Sequence, residues 1–167
     1  MSRSTIVIVG GGIGGLTAAT ALAQAGFQVT LLESAPAFGE VGAGVTLSPN
    51  AMKGMSFIGL QTSVAEAGVE PCRQRIQHWQ DSRNLVQMTR SDCRERYGAP
   101  YVYVHRADLH ALLVAAATTA GVRLKTNSEV VEVMAGGVIT RSGTVFEGDI
   151  VVGADGLKSR IRALFDP

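Results

Sequence analysis

Thr5-Ile-Val-Ile-Val9-Gly10-Gly-Gly12-Ile13-Gly14-Gly15-Leu16-Thr-Ala-Ala19-Thr-Ala-Leu22-Ala23-Gln-Ala-Gly26-Phe-Gln-Val29-Thr-Leu31-Leu-Glu33 is the stretch that decides the fold. Thr5–Val9 is a β-branched run, the composition of a strand covered on both faces. Glycines from Gly10 to Gly15 break it. Leu16, Ala19, Leu22 and Ala23 then recur at helical spacing, and Gly26 stands where a left-handed C-cap stops a helix. Val29–Glu33 supplies a second strand. Strand, glycine turn, helix and strand make a βαβ unit, and its right-handed crossover makes the two strands parallel.

The turn carries the spacing G-x-G-x-x-G at Gly10, Gly12 and Gly15. The first glycine permits the tight strand-to-helix turn, the second lets a pyrophosphate approach the backbone, and the third lets the helix pack closely on the strand. The amides that open the helix, at Ile13, Gly14 and Gly15, point at the phosphates, and the helix dipole favours their negative charge. Glu33 lies 23 residues after Gly10, at the carboxyl end of the second strand. A carboxylate there accepts bonds from both hydroxyls of an adenosine ribose and repels a ribose 2′-phosphate. The pattern specifies a dinucleotide with a free ribose, NAD or FAD, and does not choose between them.

The composition supports a folded chain. Of 167 residues 46% are hydrophobic and 17% charged, enough apolar sequence to bury a core and to exclude global disorder. Fifteen Lys+Arg against fourteen Asp+Glu give a net charge of +1, which offers no electrostatic basis for a nucleic-acid or anionic-membrane partner. Cys72 and Cys93 have no C-x-x-C spacing, so neither a disulfide framework nor a zinc site is expected. The short N-terminal apolar run and the Ala/Leu-rich segments 16–25 and 109–120 are too short for a signal peptide or a membrane span. These features together point to the cytoplasm.

Further along, residues 34–48 read as a loop, and two short helices follow, one from Pro49 or Asn50 to near Gly59 and one over 62–67. Alternation from Cys72 to about Met88 predicts an antiparallel hairpin turning near 81–84, and the charged segment 90–98 reads as loop. A strand is expected at 101–104 and a helix over 106–120 with Leu109, Leu112, Leu113 and Ala116 on its apolar stripe. A strand at 122–125, a meander of 130–134, 137–140 and 145–147, a strand at 149–152 and a final helix over 159–165 complete the chain.

Four stretches together resemble the FAD-dependent aromatic-ring hydroxylases, the class A flavoprotein monooxygenases, nearest to the salicylate-hydroxylase-like and 3-hydroxybenzoate 6-hydroxylase-like members. They are the fingerprint through Glu33, the segment Gly39-Glu-Val-Gly-Ala-Gly44-Val45-Thr-Leu-Ser-Pro-Asn-Ala51, the helix start His105-Arg106-Ala-Asp-Leu, and Gly153-Ala-Asp155-Gly156-Leu-Lys-Ser159-Arg-Ile-Arg162, which matches the pattern D-G-x-x-S-x-x-R. The resemblance implies an α/β, Rossmann-like FAD-binding fold of the glutathione-reductase type, with a three-stranded antiparallel meander and the start of a β-rich substrate domain. It implies FAD as cofactor, NADH or NADPH as transient electron donor, and a small phenolic or benzoate-like aromatic substrate that receives an oxygen atom from O₂.

By the same resemblance Gly44 and Val45 run beside the ribityl chain and flavin ring, and Arg106 reaches the ribityl–phosphate region. Val130 contacts the adenine through its backbone, and Asp155 and Gly156 touch the pyrophosphate and ribityl. His105 and His110 are expected as packing or surface residues. The implied division is an FAD-binding domain over 1–70 and 100–167, incomplete at its C-terminus, with the 71–99 hairpin belonging to the substrate domain. Family members run to about twice this length, so the chain reads as an N-terminal half in which no catalytic acid or base is assignable. The expectation is weak or absent FAD binding, no hydroxylation by the chain alone, and self-association through apolar surface left uncovered. An epoxidase, a ring-chlorinating enzyme, a reductase or a non-catalytic dinucleotide module sharing the same ADP-binding half stays open.

Overall fold

A computed structural model describes residues 4–39 and 42–164. Glu40 and Val41 of the second family-like stretch, and Phe165 of the expected final helix, lie outside the described residues. In chain order the elements are β1 (Thr5–Val9), α1 (Ile13–Gln24), β2 (Gln28–Leu32), β3 (Gly44–Leu47), α2 (Pro49–Phe57), α3 (Gln61–Ala67), β4 (Arg73–Gln77), β5 (Asn84–Thr89), α4 (Cys93–Tyr97), β6 (Val102–His105), α5 (Arg106–Thr119), β7 (Arg123–Lys125), β8 (Val130–Met134), β9 (Gly137–Thr140), β10 (Val145–Glu147) and β11 (Ile150–Gly153). The chain forms two compact units, one of residues up to 39 together with those from 110 onward, the other of residues 42–109.

The first unit is built on a four-stranded sheet in the order β11-β1-β2-β7, every neighbouring pair parallel. β1 pairs Val7 with Thr30 on one side and with Val151 on the other, which puts the earliest and the last strand of the sheet side by side. Val7, Ile8, Leu31 and Leu32 are almost wholly buried, as the unbroken apolar runs demand of strands covered on both faces. α1 ends in a Schellman arrangement: Gly26 N–H donates to Ala23 O at 3.0 Å and Phe27 N–H to Leu22 O at 3.1 Å, with Gly26 at φ +96°. The strands β8, β9 and β10 form a separate antiparallel sheet. Val130 and Val138 from it pack with Val7, Val9, Leu32 and Ile161 in one apolar cluster.

In the second unit β3 pairs antiparallel with β6, Val45 opposite Val104, and β4 pairs with β5 as a hairpin. Met52, Met55, Ile58, Val64, Val102 and Val104 form its buried apolar set. Val69 and Tyr103 exchange backbone hydrogen bonds at 2.7 and 2.9 Å, which ties the end of α3 to β6. The hairpin leaves Ile76, Leu85 and Val86 exposed, and Trp79 at its turn is 85% exposed.

Three expectations need correction. The segment 34–48 is not all loop: Gly44–Leu47 is a strand because Val102–His105, far along the chain, offers it a ladder that no local pattern reveals. Residues 90–98 are not all loop either: Cys93–Tyr97 makes one helical turn that buries Cys93 and closes on left-handed Gly98. Within the described residues the expected final helix is seen only as a 3₁₀ turn at Arg162–Leu164, preceded by Arg160 and Ile161 amides that donate to the Asp155 carboxylate. The β3–β6 ladder joins residues on both sides of the hairpin, which keeps residues 42–109 together in one compact unit. Among the described residues no helix is long and apolar enough to cross a membrane.

Leu31 is fully buried. Leu31→Ala is expected to cost about 2–5 kcal/mol of unfolding free energy. Trp79→Ala should change stability by less than about 0.5 kcal/mol. Urea unfolding of the two variants beside the parent checks both.

Candidate functional site

The carboxyl ends of β1, β2 and β11 converge on the first glycine. Gly10 N–H donates to Leu32 O and Ala154 N–H donates to Val9 O, each at 2.8 Å. Gly10 sits at φ +109°, and a Cβ there would overlap the Ala154 carbonyl and lie 2.9 Å from Asp155 Cα. A Cβ at Gly15 would overlap the Gly10 carbonyl oxygen. The first and last glycines of the fingerprint are therefore fixed by strand–turn–helix packing, and the turn they permit is in backbone contact with the Asp155–Gly156 corner.

α1 begins on Gly12, which is extended (φ −75°, ψ −178°) and supplies no side-chain cap. Leu16 N–H takes the Gly12 carbonyl at 3.0 Å, leaving the amides of Ile13, Gly14 and Gly15 without an intrahelical acceptor. At Gly14 the space a Cβ would enter holds no heavy atom within 4 Å. An uncapped, open helix start with aligned amides fits a phosphate.

Glu33 does more than the sequence suggests. Its Oε2 accepts from Gly11 N–H at 2.7 Å, and its Oε1 accepts from the Ser34 hydroxyl at 2.9 Å and Ala35 N–H at 2.8 Å. Burial opposes its ionisation. The donors from Ala35, Gly11 and Ser34 outweigh that, so the carboxyl is held below its ordinary value of 4.5. Three of roughly four lone-pair positions are thus occupied by protein donors. The carboxylate expected at the ribose is thus already held by the protein before any ligand arrives.

Asp155 follows the same logic. Its Oδ1 accepts from the Ser159 hydroxyl at 2.5 Å, and its Oδ2 accepts from Arg160 N–H at 2.7 Å and Ile161 N–H at 3.3 Å. Burial again opposes ionisation, and the Ser159, Arg160 and Ile161 donors overcome it, so this carboxyl too is held below its usual 3.8. Gly156 beside it turns at φ +83°. Ser159 passes the arrangement on by accepting from Arg162 N–H at 2.9 Å.

Val130 opens β8 with its side chain in the core cluster. The segment before it is tied to the end of β2, Ser128 N–H donating to Glu33 O at 2.8 Å and Asn127 N–H to Ala35 O at 2.9 Å. The fingerprint, Glu33, the approach to Val130 and the Asp155–Gly156 corner thus gather in the first unit. In the second unit Gly44 lies opposite His105 in the β3–β6 ladder, Val45 lies opposite Val104, and Arg106 N–H donates to Ala43 O at 3.3 Å. The half-buried Arg106 side chain passes over Gly42, where a Cβ would stand 3.2 Å from its Cδ. Among the described residues no cluster of His, Cys, Asp or Glu could hold a metal ion.

One residue at the glycine turn was not expected. His110 is 4% exposed, and its Nε2 lies 2.8 Å from Gly11 O. The signal was its place on α5: the buried face runs Leu109, His110, Leu113 and Ala117 rather than through Leu112 and Ala116.

A parallel βαβ sheet, a phosphate-fitting helix start and a strand-end carboxylate define a dinucleotide-binding protein. The chain belongs to the FAD-binding domain family, whose model matches residues 3–166, so the dinucleotide is FAD. It is 40% identical over 165 residues to the 6-hydroxynicotinate 3-monooxygenase of Bordetella bronchiseptica, covering 96% of this chain and 43% of that protein. It is 37% identical over 169 residues to 3-hydroxybenzoate 6-hydroxylase 1 of Aquipseudomonas alcaligenes, covering 96% of this chain and 42% of that one. The crystal structure of a C294A mutant of 2-methyl-3-hydroxypyridine-5-carboxylic acid oxygenase superposes with a TM-score of 0.87 at 31% identity over 98% of this chain and 42% of that chain. The chain thus spans less than half the length of the curated relatives it matches.

Gly14→Ala is expected to keep or raise stability, by up to about 1 kcal/mol. Gly15→Ala, whose Cβ has no room, should lose about 3 kcal/mol or more; thermal unfolding of the pair decides. The lowered Glu33 and Asp155 carboxyls make a second prediction. Groups depressed in the folded state bind fewer protons than in the unfolded chain, so their stabilisation is present above the ordinary values of 4.5 and 3.8 and is lost as pH falls through the lower folded values. Urea midpoints followed from pH 6 down to about pH 3 should fall, and Glu33→Gln and Asp155→Asn should each flatten that slope.

Proposed function

We propose that the chain is the FAD-binding portion of an NAD(P)H-dependent flavoprotein monooxygenase that hydroxylates a small aromatic acid bearing a ring hydroxyl. The observation that carries this reading is the contact between the glycine turn and the Asp155–Gly156 corner, Gly10 against Ala154 and Asp155. It brings the ADP fingerprint and the second flavoprotein-like motif to the ends of adjacent strands. The names of the similar enzymes support the substrate class, since hydroxynicotinate, hydroxybenzoate and hydroxypyridine carboxylate are all hydroxylated aromatic acids.

In this reading the amides of Ile13, Gly14 and Gly15 hold the pyrophosphate, and Glu33 accepts from the ribose with its remaining lone pair. The backbone leading into Val130 flanks the adenine. Gly44 and Val45 leave the flavin ring free to approach β3, and Arg106 supplies positive charge to the ribityl–phosphate region. FAD, when bound, supplies the redox and oxygen chemistry; the residues here bind it and orient it. The hairpin at 71–99 is the first part of the substrate-facing sheet. NADH or NADPH delivers the electrons, and Glu33 places no restriction on which, because FAD fills the site it lines. The protein works in the cytoplasm, a reading supported by the unpaired Cys72 and Cys93.

Fluorescence titration of the 167-residue chain with FAD tests the binding role. The expected result is affinity no tighter than about micromolar, competition by ADP, and little competition by ADP carrying a 2′-phosphate on its ribose. Equal competition by the 2′-phosphorylated and free nucleotides would overturn the assignment of Glu33.

A further inference from the structure

We propose that His110 is a positioning residue for the glycine turn, and that together with Glu33 it sets the direction in which the Gly12 amide faces the pyrophosphate. The proposal rests on reading the turn as the ADP-binding site. Gly11 is gripped at both of its peptide groups. Its N–H donates to Glu33 Oε2 at 2.7 Å, and its carbonyl accepts from His110 Nε2–H at 2.8 Å. A carbonyl cannot donate, so Nε2 carries the proton in this contact. The imidazole is 4% exposed and lies on the buried face of α5 with Leu109 and Leu113.

The consequence follows from peptide geometry. No peptide bond among the described residues is cis. In a planar trans peptide the carbonyl of one residue and the N–H of the next point in opposite directions. Holding Gly11 O against His110 therefore turns Gly12 N–H away from the imidazole. Gly12 is the residue at which α1 begins, immediately ahead of the uncapped amides of Ile13, Gly14 and Gly15. Successive glycines resist rotation of the intervening peptide very little. Backbone bonds fix the flanks, Gly10 N–H to Leu32 O and Leu16 N–H to Gly12 O, while the Glu33 and His110 contacts hold the two peptides on either side of Gly11. With them, the amide is set before any ligand arrives, and a phosphate is spared the ordering cost.

Crowding around Gly11 supports the same conclusion. A Cβ there would stand 2.7 Å from Phe38 Cε1 and 3.0 Å from Glu33 Oε2. The variable position of the G-x-G-x-x-G pattern is thus filled by glycine for a local reason: a side chain would collide with the Phe38 ring and crowd the Glu33 carboxylate that holds the Gly11 amide.

His110→Gln and His110→Met test the proposal in the intact 167-residue chain. Gln carries an N–H donor the same number of bonds from Cβ as histidine Nε2, whereas Met fills the space without a donor. ADP affinity by calorimetry should fall about tenfold or more in His110→Met, the value of one hydrogen bond that orders a binding group, and stay within about threefold of the parent in His110→Gln. In ligand-free protein the Gly12 amide resonance should move in the Met variant and return in the Gln variant. Parental affinity and an unmoved Gly12 resonance in His110→Met would overturn the proposal. So would equal losses in both variants, including loss of fold in both, since a general packing role predicts no rescue by Gln. Should the parent bind neither ADP nor FAD, the ADP-site reading falls, while the Gly12 resonances still decide the role of His110.

Discussion

The structure hangs on how closely α1 can approach the end of β1. That approach needs Gly15 to carry no side chain, because the Gly10 carbonyl occupies the space, and needs Gly10 to carry none, because the Ala154 carbonyl occupies that one. Two segments widely separated in sequence, the glycine turn and the corner at Ala154–Asp155, meet there. Relaxing either contact would tilt α1 away from the sheet and part β1 from β11, whose pairing joins the two ends of the first unit. The helix start that fits a phosphate is thus a by-product of packing: a turn this tight leaves Gly12 extended and the next three amides uncapped.

The first unit was legible in the sequence because its signals are local. β-Branched runs, a helical apolar period and a Gly26 stop lie next to each other, and each reports the same βαβ unit. The three strands of 130–147 were equally local, separated by short turns. What escaped was carried by distant partners. Nothing in Gly44–Leu47 announces a strand until Val102–His105 is laid beside it. The turn of helix at Cys93–Tyr97 sits in a charged stretch whose one apolar anchor, Cys93, is buried. Near residue 160 the contacts are local, the Asp155 carboxylate taking the Arg160 and Ile161 amides and the Ser159 hydroxyl that of Arg162, and residues 162–164 close as a 3₁₀ turn where a helix was expected.

The site residues divide along the same line. Gly10, Gly15 and Glu33 were found through spacing, because the constraint on each is set by neighbours in the same motif. His110 could not be found so, since its partner Gly11 is 99 residues away. A histidine on an apolar helix face is ordinarily a packing residue, and only the direction of its Nε2 gives it another purpose. Gly44, Val45 and Arg106 were placed by family resemblance alone. The structure adds a local reason for two of these regions to travel together: β3 and the start of α5 are joined through the β3–β6 ladder and the bond from Arg106 N–H to Ala43 O.

Glu33 and Asp155 share a physical role that their motif labels conceal. Each is a half-buried carboxylate whose oxygens accept from backbone amides and a serine hydroxyl close in sequence. Such a carboxylate is ionised at neutral pH because the protein has already supplied the donors that favour its charged form. The consequence for recognition is that the negative charge at each corner is fixed before a ligand arrives and is partly neutralised by those donors. The donors on Glu33 are all neutral groups, so the carboxylate keeps its negative sign with no cation beside it among them. The same donors that favour ionisation also tie the loop after β2 to the glycine turn, since one Glu33 oxygen holds Gly11 N–H and the other Ala35 N–H.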